Sequence, residues 1–203
     1  PGYILWDKAK AVSEVNATGD FIDQTVISSD GARMIYASNV DGNNSNLFLR
    51  LWDGNNWGEP RPMRALNSKF HETSPALSGD GNLLVFTSDR PGGQGGQDIW
   101  ISKWDGVEYA WPLPLTKRVN TPFDEIDPAI TPDGITVFFA SNRPHQASDI
   151  SEKEAVEAAA AELLEDVADR KVDFDVYSAD VASDRLSGLI IERRLSMLYS
   201  LRE

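Results

Sequence analysis

The stretch ALSGDGNLLVFTSD, from Ala76 to Asp89, has two further copies along the chain. These are VISSDGARMIYASN, from Val26 to Asn39, and AITPDGITVFFASN, from Ala129 to Asn142. In every copy a serine follows seven residues after the glycine of an Asp-Gly pair. The three pairs begin at Asp30, Asp80 and Asp133, which are 50 and 53 residues apart. Self-similarity at such a period indicates a repeat architecture.

Each copy reads as a β-hairpin followed by two more strands. The Asp-Gly pair lies between short runs of β-branched and aromatic residues, and glycine accepts the positive φ that a tight hairpin needs. Downstream, NLFLRLWDG, DIWISKWDG and DFDVYSADV supply a third strand, and the Trp-containing segments NNWGEPRP and YAWPLPL supply a proline-rich fourth strand suited to an edge. Four antiparallel strands in about 50 residues are typical of a β-propeller blade.

Two landmarks upstream of each copy support the repeat. An asparagine, followed closely by a phenylalanine and an acid, recurs at Asn16, Asn67 and Asn120. A tryptophan precedes it by 10, 10 and 9 residues, at Trp6, Trp57 and Trp111. We therefore predict an all-β protein, a single domain over 1–203, with blades at about 20–66, 71–119 and 124–192.

The segments Leu66–Gly106 and Val119–Pro144 resemble a known family, the Pro-Asp type repeats of TolB-like β-propellers in bacterial envelope proteins. The resemblance lies in the Glu-x-x-Pro-Ala element, in the Ser-Asp/Asn-Arg-Pro turn, and in a match that runs from Trp6 to Pro144 and resumes at DFDVYSADV. The first unit departs from both motifs, with Thr25-Val26 and Asn39-Val40, and is a diverged blade. The resemblance implies a periplasmic or extracytoplasmic propeller that binds another protein.

The number of blades leaves three alternatives open. Four blades is about the smallest number that closes a ring, and only three copies are present. The segment Tyr3–Val15 aligns with the outermost strand of a preceding blade. We expect a fragment of a larger propeller first and closure by a homo-oligomer second, with a fourth blade from the unmatched tail as the remaining alternative.

Composition excludes several classes of partner and site. The net charge of −13 disfavours nucleic acid and anionic membrane surfaces, which are held by lysine and arginine. The absence of cysteine excludes disulfides and Cys-ligated zinc. No apolar run reaches the roughly 20 residues of a membrane span, so no membrane insertion is expected, and no signal peptide is present in this chain.

The glycine-rich stretch RPGGQGGQ, from Arg90 to Gln97, could cradle a phosphate or could simply be a turn. The first unit has VDGNNSN at the same place, and neither stretch precedes a helical pattern, so we interpret it as a turn. Candidate binding residues on these loops are Arg90, Gln94, Gln97 and Arg143.

An insertion in the third unit predicts a helix at about 148–171. Ser151-x-x-Glu154 is a capping box, and four consecutive alanines favour helix. An apolar stripe along it contains Val156, Ala160, Leu163 and Val167. The stripe packs on the propeller itself or docks a partner. In the tail, Leu186–Ile191 is predicted to complete the third blade, and the leucines after it could begin a second helix.

No catalytic residue, cofactor or metal site is predicted. His71 occupies the position of Asp124 in the next unit, His145 lies at the insertion boundary, and no Gly-x-Ser-x-Gly elbow occurs. The stretch DGNNSN spaces its oxygen ligands like an EF-hand but lacks the required glycine and terminal acid. Acids at blade entry recur at Asp23, Glu72, Asp124 and Glu125. Because they repeat, we expect them to satisfy the backbone between blades.

The sequence therefore favours a non-catalytic module for protein–protein interaction on its rim or axial face. Two alternatives remain: a propeller domain of a larger peptidase, and a propeller that binds a saccharide on its axial face. Fold alone does not separate them, because propellers host binding and catalysis alike.

Overall fold

The computed structural model describes residues 8–16, 22–39, 44–144 and 174–180. Blade 1 is an antiparallel sheet of β1 (Ile22–Ile27), β2 (Arg33–Ser38), β3 (Asn46–Leu51) and β4 (Arg61–Pro62) in that spatial order. Blade 2 repeats it with β5 (Glu72–Leu77), β6 (Leu83–Ser88), β7 (Asp98–Lys103) and β8 (Leu113–Pro114). Blade 3 contains β9 (Glu125–Ile130), β10 (Thr136–Ser141) and β11 (Asp175–Asp180). A one-turn helix, α1 (Ser13–Asn16), precedes them.

The predicted Asp-Gly hairpins are confirmed in all three blades. In blade 2, Gly81 has φ +67°, and the Ser78 hydroxyl donates to Asp80 Oδ1 at 2.6 Å. The same oxygen accepts the Asn82 N–H at 2.9 Å. These hydrogen bonds, with the hydroxyl contribution largest, lower the pKa of Asp80. Equivalent carboxylates at Asp30 and Asp133 make the same pair of bonds, so the loop is stabilised identically in each blade.

The blades stack face to face, as propeller blades do. Between blades 1 and 2, Ile35 and Leu47 pack against Leu84 and Phe86, and all four are fully buried. A second cluster fills the space between blades 2 and 3, with members Val85, Ile99, Ile101, Val119, Val137 and Phe139. The first strands lie side by side, since β5 contacts both β1 and β9. The all-β, blade-type fold predicted from the repeat is thereby confirmed.

The asparagine landmark has a structural reason. Asn67 Oδ1 accepts the Leu47 N–H at 2.8 Å, and Asn67 Nδ2 donates to the Leu47 carbonyl at 2.9 Å. Asn120 makes the same two bonds with Ile99, at 3.0 and 2.9 Å. Each side-chain amide therefore pairs with the third strand just where that strand begins, and the connection to the next blade is fixed there.

The tryptophan landmark was wrong in its third member. Trp57 forms a bridge with Trp52, and the equivalent bridge in blade 2 joins Tyr109 to Trp104. Either aromatic ring satisfies this position, because each packs on the preceding tryptophan with centroids 5.3 and 5.0 Å apart. Trp111 lies two residues further on and is 52% exposed. The fourth strands β4 and β8 lie within the predicted segments NNWGEPRP and YAWPLPL, but each begins after the tryptophan, which is not part of the strand.

The segment before blade 1 ends like the segments before blades 2 and 3. The amides of Val15 and Asn16 both donate to the Val12 carbonyl, as those of Leu66 and Asn67 do to Met63. Val15 is buried against the outer face of blade 1, beside Tyr36. The turn that enters the blade is therefore the predicted one, but the described part of the predicted outer strand Tyr3–Val15 forms no strand, since residues 8–12 are irregular and Ser13–Asn16 are helical. Residues 1–7 lie outside the described residues. So do the predicted helix at about 148–171, His145 and the predicted strand Leu186–Ile191.

A buried ion pair closes each of blades 2 and 3. Arg90 Nη2 lies 2.8 Å from Glu72 Oε1, with the carboxylate side chain fully buried and the guanidinium 10% exposed. The Ser68 and Ser88 hydroxyls also donate to that oxygen. Glu125 and Arg143 repeat the arrangement at the same distance.

Blade 1 lacks this ion pair. Ile22 pairs with Ser38 as Glu72 pairs with Ser88, and the sequence has Val40 where Arg90 is expected. The buried Ser38 hydroxyl has no hydrogen-bond partner among the described residues. The first unit, which the sequence identified as diverged, thus lacks both the glutamate and the arginine of the pair. Neither charge is left buried without its partner.

We predict that Arg90→Val destabilises the protein by about 3 kcal/mol, because it leaves the Glu72 carboxylate buried without its cation. The double variant Glu72→Ile with Arg90→Val reproduces the residues of blade 1 and should lose clearly less stability. Urea unfolding of both variants and of the wild type measures the difference. A double variant as unstable as the single one would contradict the argument.

Candidate functional site

Three side chains, one from each blade, meet where the first strands lie together. Gln24, Ser74 and Asp127 occupy equivalent positions and have φ of +48°, +50° and +49°. Each lies at a break in the strand register, where its strand bulges. Non-glycine residues in this region are strained and cluster at functional sites. We call these three residues the axial cluster.

The axial cluster is joined by side-chain hydrogen bonds between blades. The Ser74 hydroxyl donates to Asp127 Oδ1 at 2.6 Å, and Gln24 Nε2 donates to the same oxygen at 3.4 Å. The Ser74 N–H donates to Gln24 Oε1 at 2.7 Å. Asp127 and Gln24 are exposed, so the cluster offers a carboxylate and an amide to solvent. Sequence reasoning missed it, although two members directly precede the proline of the Glu-x-x-Pro-Ala element.

The glycine-rich loop is a turn joining β6 and β7, as predicted. Its amides hold the chain's own carboxylate: the N–H groups of Gln94 and Gly95 donate to Asp98 at 3.0 and 3.2 Å. A Cβ on Gly93 would overlap that carboxylate, and one on Gly95 would overlap the Phe123 carbonyl oxygen. The glycines therefore permit close packing inside the loop and against the next blade.

Burial raises the pKa of Asp98, and the hydrogen bonds from Gln94 and Gly95 oppose that change. Nearby Asp124 raises the pKa further. Asp124 accepts the Gln97 N–H at 2.9 Å, and its own N–H donates to Asn142. The entry acids Glu72, Asp124 and Glu125 thus bond to backbone or side-chain groups of the blades, as expected from their repetition.

The four candidate binding residues are not brought to one place. Arg90 and Arg143 belong to the buried ion pairs of different blades, and each guanidinium stacks over two aromatic rings of its own blade. Gln94 and Gln97 are exposed on the glycine-rich loop. Contact of these residues with a ligand stays a prediction, and the two arginines are already engaged inside the protein.

A groove on the rim separates blade 1 from blade 2. It holds a cavity of about 230 Å³ between β4 with the turn after it and the loop that joins β7 to β8. Its floor is apolar and aromatic, with Leu49, Met63, Trp104 and Tyr109. Arg61, Arg64, Val107 and Glu108 stand at its edges and are exposed. We call these eight residues the rim groove. In the sequence, the feature that could have indicated it is the pair of arginines in EPRPMR.

The floor of the rim groove is held by an inter-blade bond. The Tyr109 hydroxyl donates to the Gly81 carbonyl at 2.8 Å, and Arg33 of blade 1 donates to that hydroxyl at 3.3 Å. Arg33 also stacks over the Trp104 ring, 5.0 Å from its centroid. Desolvation raises the pKa of Tyr109 to about 12, so the hydroxyl stays protonated and keeps donating.

The part of the chain that the structure describes contains no group of three or more His, Cys, Asp or Glu residues that could hold a metal ion. His71, the one histidine in that part, accepts the Ser45 N–H at 3.3 Å through Nδ1. Among the same residues, no helix is long and apolar enough to cross a membrane.

We predict that Asp98→Asn, which introduces the residue of blade 1 at this position (Asn46), changes how stability depends on pH. The raised pKa means that the folded protein holds this proton more tightly, so wild-type stability falls as the pH rises from the ordinary value of 3.8 through the raised one. The variant's unfolding free energy relative to wild type should therefore increase from about pH 4 to 7. Denaturant unfolding across that range measures it; a difference independent of pH would contradict this assignment.

No protein-family model matches the chain, and no curated protein matches it. Solved structures similar to it include the putative TolB of Agrobacterium tumefaciens, at 20% identity over 79% of this chain and 45% of that chain, with a TM-score of 0.49. TolB from Acinetobacter baumannii is 20% identical over 62% of this chain and 28% of that chain, with a TM-score of 0.42.

A third similar structure is the β-propeller domain of the Trilobed protease from Pyrococcus furiosus, at 10% identity over 60% of this chain and 34% of that chain, with a TM-score of 0.40. The chain spans less than half the length of each of these structures. The blade-type fold itself follows from the strand order and sheet packing described above.

Proposed function

We propose that this chain is a non-catalytic β-propeller module that binds another protein, in the periplasm or another extracytoplasmic part of the bacterial envelope. The observation that carries the proposal is the composition of the exposed loops after the third strands. Trp52, Val107 and Trp111 are 40, 83 and 52% exposed there. Tryptophan and arginine contribute strongly to the binding energy of protein interfaces. These loops carry the two exposed tryptophans, and the neighbouring rim groove has the exposed arginines Arg61 and Arg64 at its edge.

Two features support binding over chemistry. The axial cluster supplies a carboxylate, a hydroxyl and an amide but no imidazole, and Ser74 donates to Asp127 rather than to a base. The repeated acids are used inside the blades, as the Glu72–Arg90 pair shows. The envelope location is inferred from the resemblance of the motifs to TolB-like repeats.

The first alternative is that these blades belong to a larger peptidase. It has support in the similar structure from a protease, and it is tested by the sequence and activity of the parent protein. The second alternative, a saccharide-binding propeller, has support in the exposed polar groups of Gln24 and Asp127. Calorimetric titration with oligosaccharides tests it, with Asp127→Ala as the variant that should abolish any heat of binding.

We predict that the immobilised chain retains a specific protein from a bacterial periplasmic extract, and that the triple variant Trp52→Ser, Val107→Ser, Trp111→Ser loses it. The reason is that exposed aromatic and apolar anchors contribute most of an interface's binding energy. Quantitative mass spectrometry of the retained proteins measures the effect.

The matched control removes exposed apolar residues elsewhere, with Ile27→Ser at the end of β1 and Ile135→Ser in the turn between β9 and β10, which are 51 and 40% exposed in the wild type. This control should retain the same protein as the wild type. If the extract yields no protein that separates the triple variant from the control, the proposed function is wrong.

A further inference from the structure

We infer that the rim groove takes an acidic peptide segment of a partner protein, which inserts one large apolar side chain between Trp104 and Met63 while its carboxylates meet Arg61 and Arg64. This rests on the proposed function, protein binding, and goes beyond it by naming the surface and the chemistry of the partner.

The size of the cavity points to a side chain as its occupant. Sites for small molecules and cofactors usually measure about 300–1,000 Å³. The rim groove holds about 230 Å³ and lies open at the surface. That volume suits a single leucine, phenylalanine or tryptophan side chain presented by a polypeptide that lies along the rim.

The charges at the edge of the groove favour a polypeptide with negative charge. Arg61 and Arg64 are both exposed, and neither has an ion-pair or hydrogen-bond partner among the described residues. One acid, Glu108, lines the same groove. The chain as a whole carries −13, so a patch with two free cations and one anion departs from the rest of the protein. Such a patch attracts carboxylates and repels cationic segments.

The floor is prepared for an apolar anchor before any partner arrives. Tyr109 is 2% exposed and is fixed by its bond to Gly81 and by Arg33. Trp104 is held from one side by Arg33 and from another by Tyr109, with ring centroids 5.0 Å apart. A rigid aromatic floor loses little entropy on binding, which is the condition for a high-affinity anchor site. Val107, 83% exposed, extends this apolar surface toward the occupant.

Selection from a phage-displayed library of random peptides on the full chain tests the inference. We expect peptides in which Asp or Glu flank a Leu, Phe or Trp. Fluorescence anisotropy with the selected peptides should show roughly tenfold weaker binding to the double variant Arg61→Ala, Arg64→Ala, which corresponds to a loss of about 1.4 kcal/mol for the two charges together. Glu108→Gln should bind the same peptides more tightly, because it removes the one repulsive charge.

The matched control is Lys117→Ala with Arg118→Ala, which removes two exposed cations from the equivalent turn of blade 2. It should bind as the wild type does, and raised salt should weaken binding to both. Peptides without acids, or peptides whose affinity ignores Arg61 and Arg64, overturn the groove assignment while leaving protein binding intact. A library that yields no binding peptide also overturns it, whereas failure of the proposed function appears separately in the periplasmic extract.

Discussion

The structure depends on the burial of each blade's apolar face against its neighbour. A four-stranded sheet of this size cannot cover both of its faces alone, and here Ile35 and Leu47 of blade 1 are buried in a cluster that includes Leu84 and Phe86 of blade 2. The side-chain bonds of Asn67 and Asn120 to the third strands, and the buried ion pairs, fix the chain where it passes from one blade to the next. They thereby hold neighbouring blades in contact. On the face of blade 3 that is turned away from blade 2, Phe138 and Val176 are 43 and 79% exposed.

Polar groups within the interior follow a different rule from those on the surface. Glu72 is tolerated at full burial because a guanidinium and two serine hydroxyls satisfy its oxygens. Blade 1 does without that network. Its β3 buries Arg50 at the position of Ser102 in blade 2. Arg50 donates to the Gly58 carbonyl at 2.8 Å and to the Tyr36 hydroxyl at 3.3 Å, and Ser102 donates to the equivalent Ala110 carbonyl. One position can therefore carry different polar side chains that bond to the same backbone carbonyl, while the apolar positions change little.

Sequence reasoning found the blades because hairpin chemistry is local. The Asp-Gly pairs can be recognised in the sequence because a tight hairpin turn requires them. Asn67 and Asn120 recur because their side-chain amides bond to the backbone of the third strand at the same position in each blade. Sequence reasoning aligned Trp111 with Trp57, whereas the residue equivalent to Trp57 is Tyr109, two positions earlier. Either aromatic side chain fits that position, so the residue type alone did not identify it. Sequence reasoning did not reveal that Arg90 and Arg143 form ion pairs with buried glutamates, because solvent exposure cannot be read from a turn motif. The axial cluster and the rim groove arise between blades, so no single segment encodes them.

The outermost strands carry one further consequence. β4 and β8 contain two residues each, and in both the second residue is a proline. Such an edge exposes few consecutive free amide and carbonyl groups, so a strand of another chain can form few backbone hydrogen bonds with it. The outer edges of blades 1 and 2 are thereby protected against fibril-like self-assembly. A partner that binds there must do so through individual side-chain contacts.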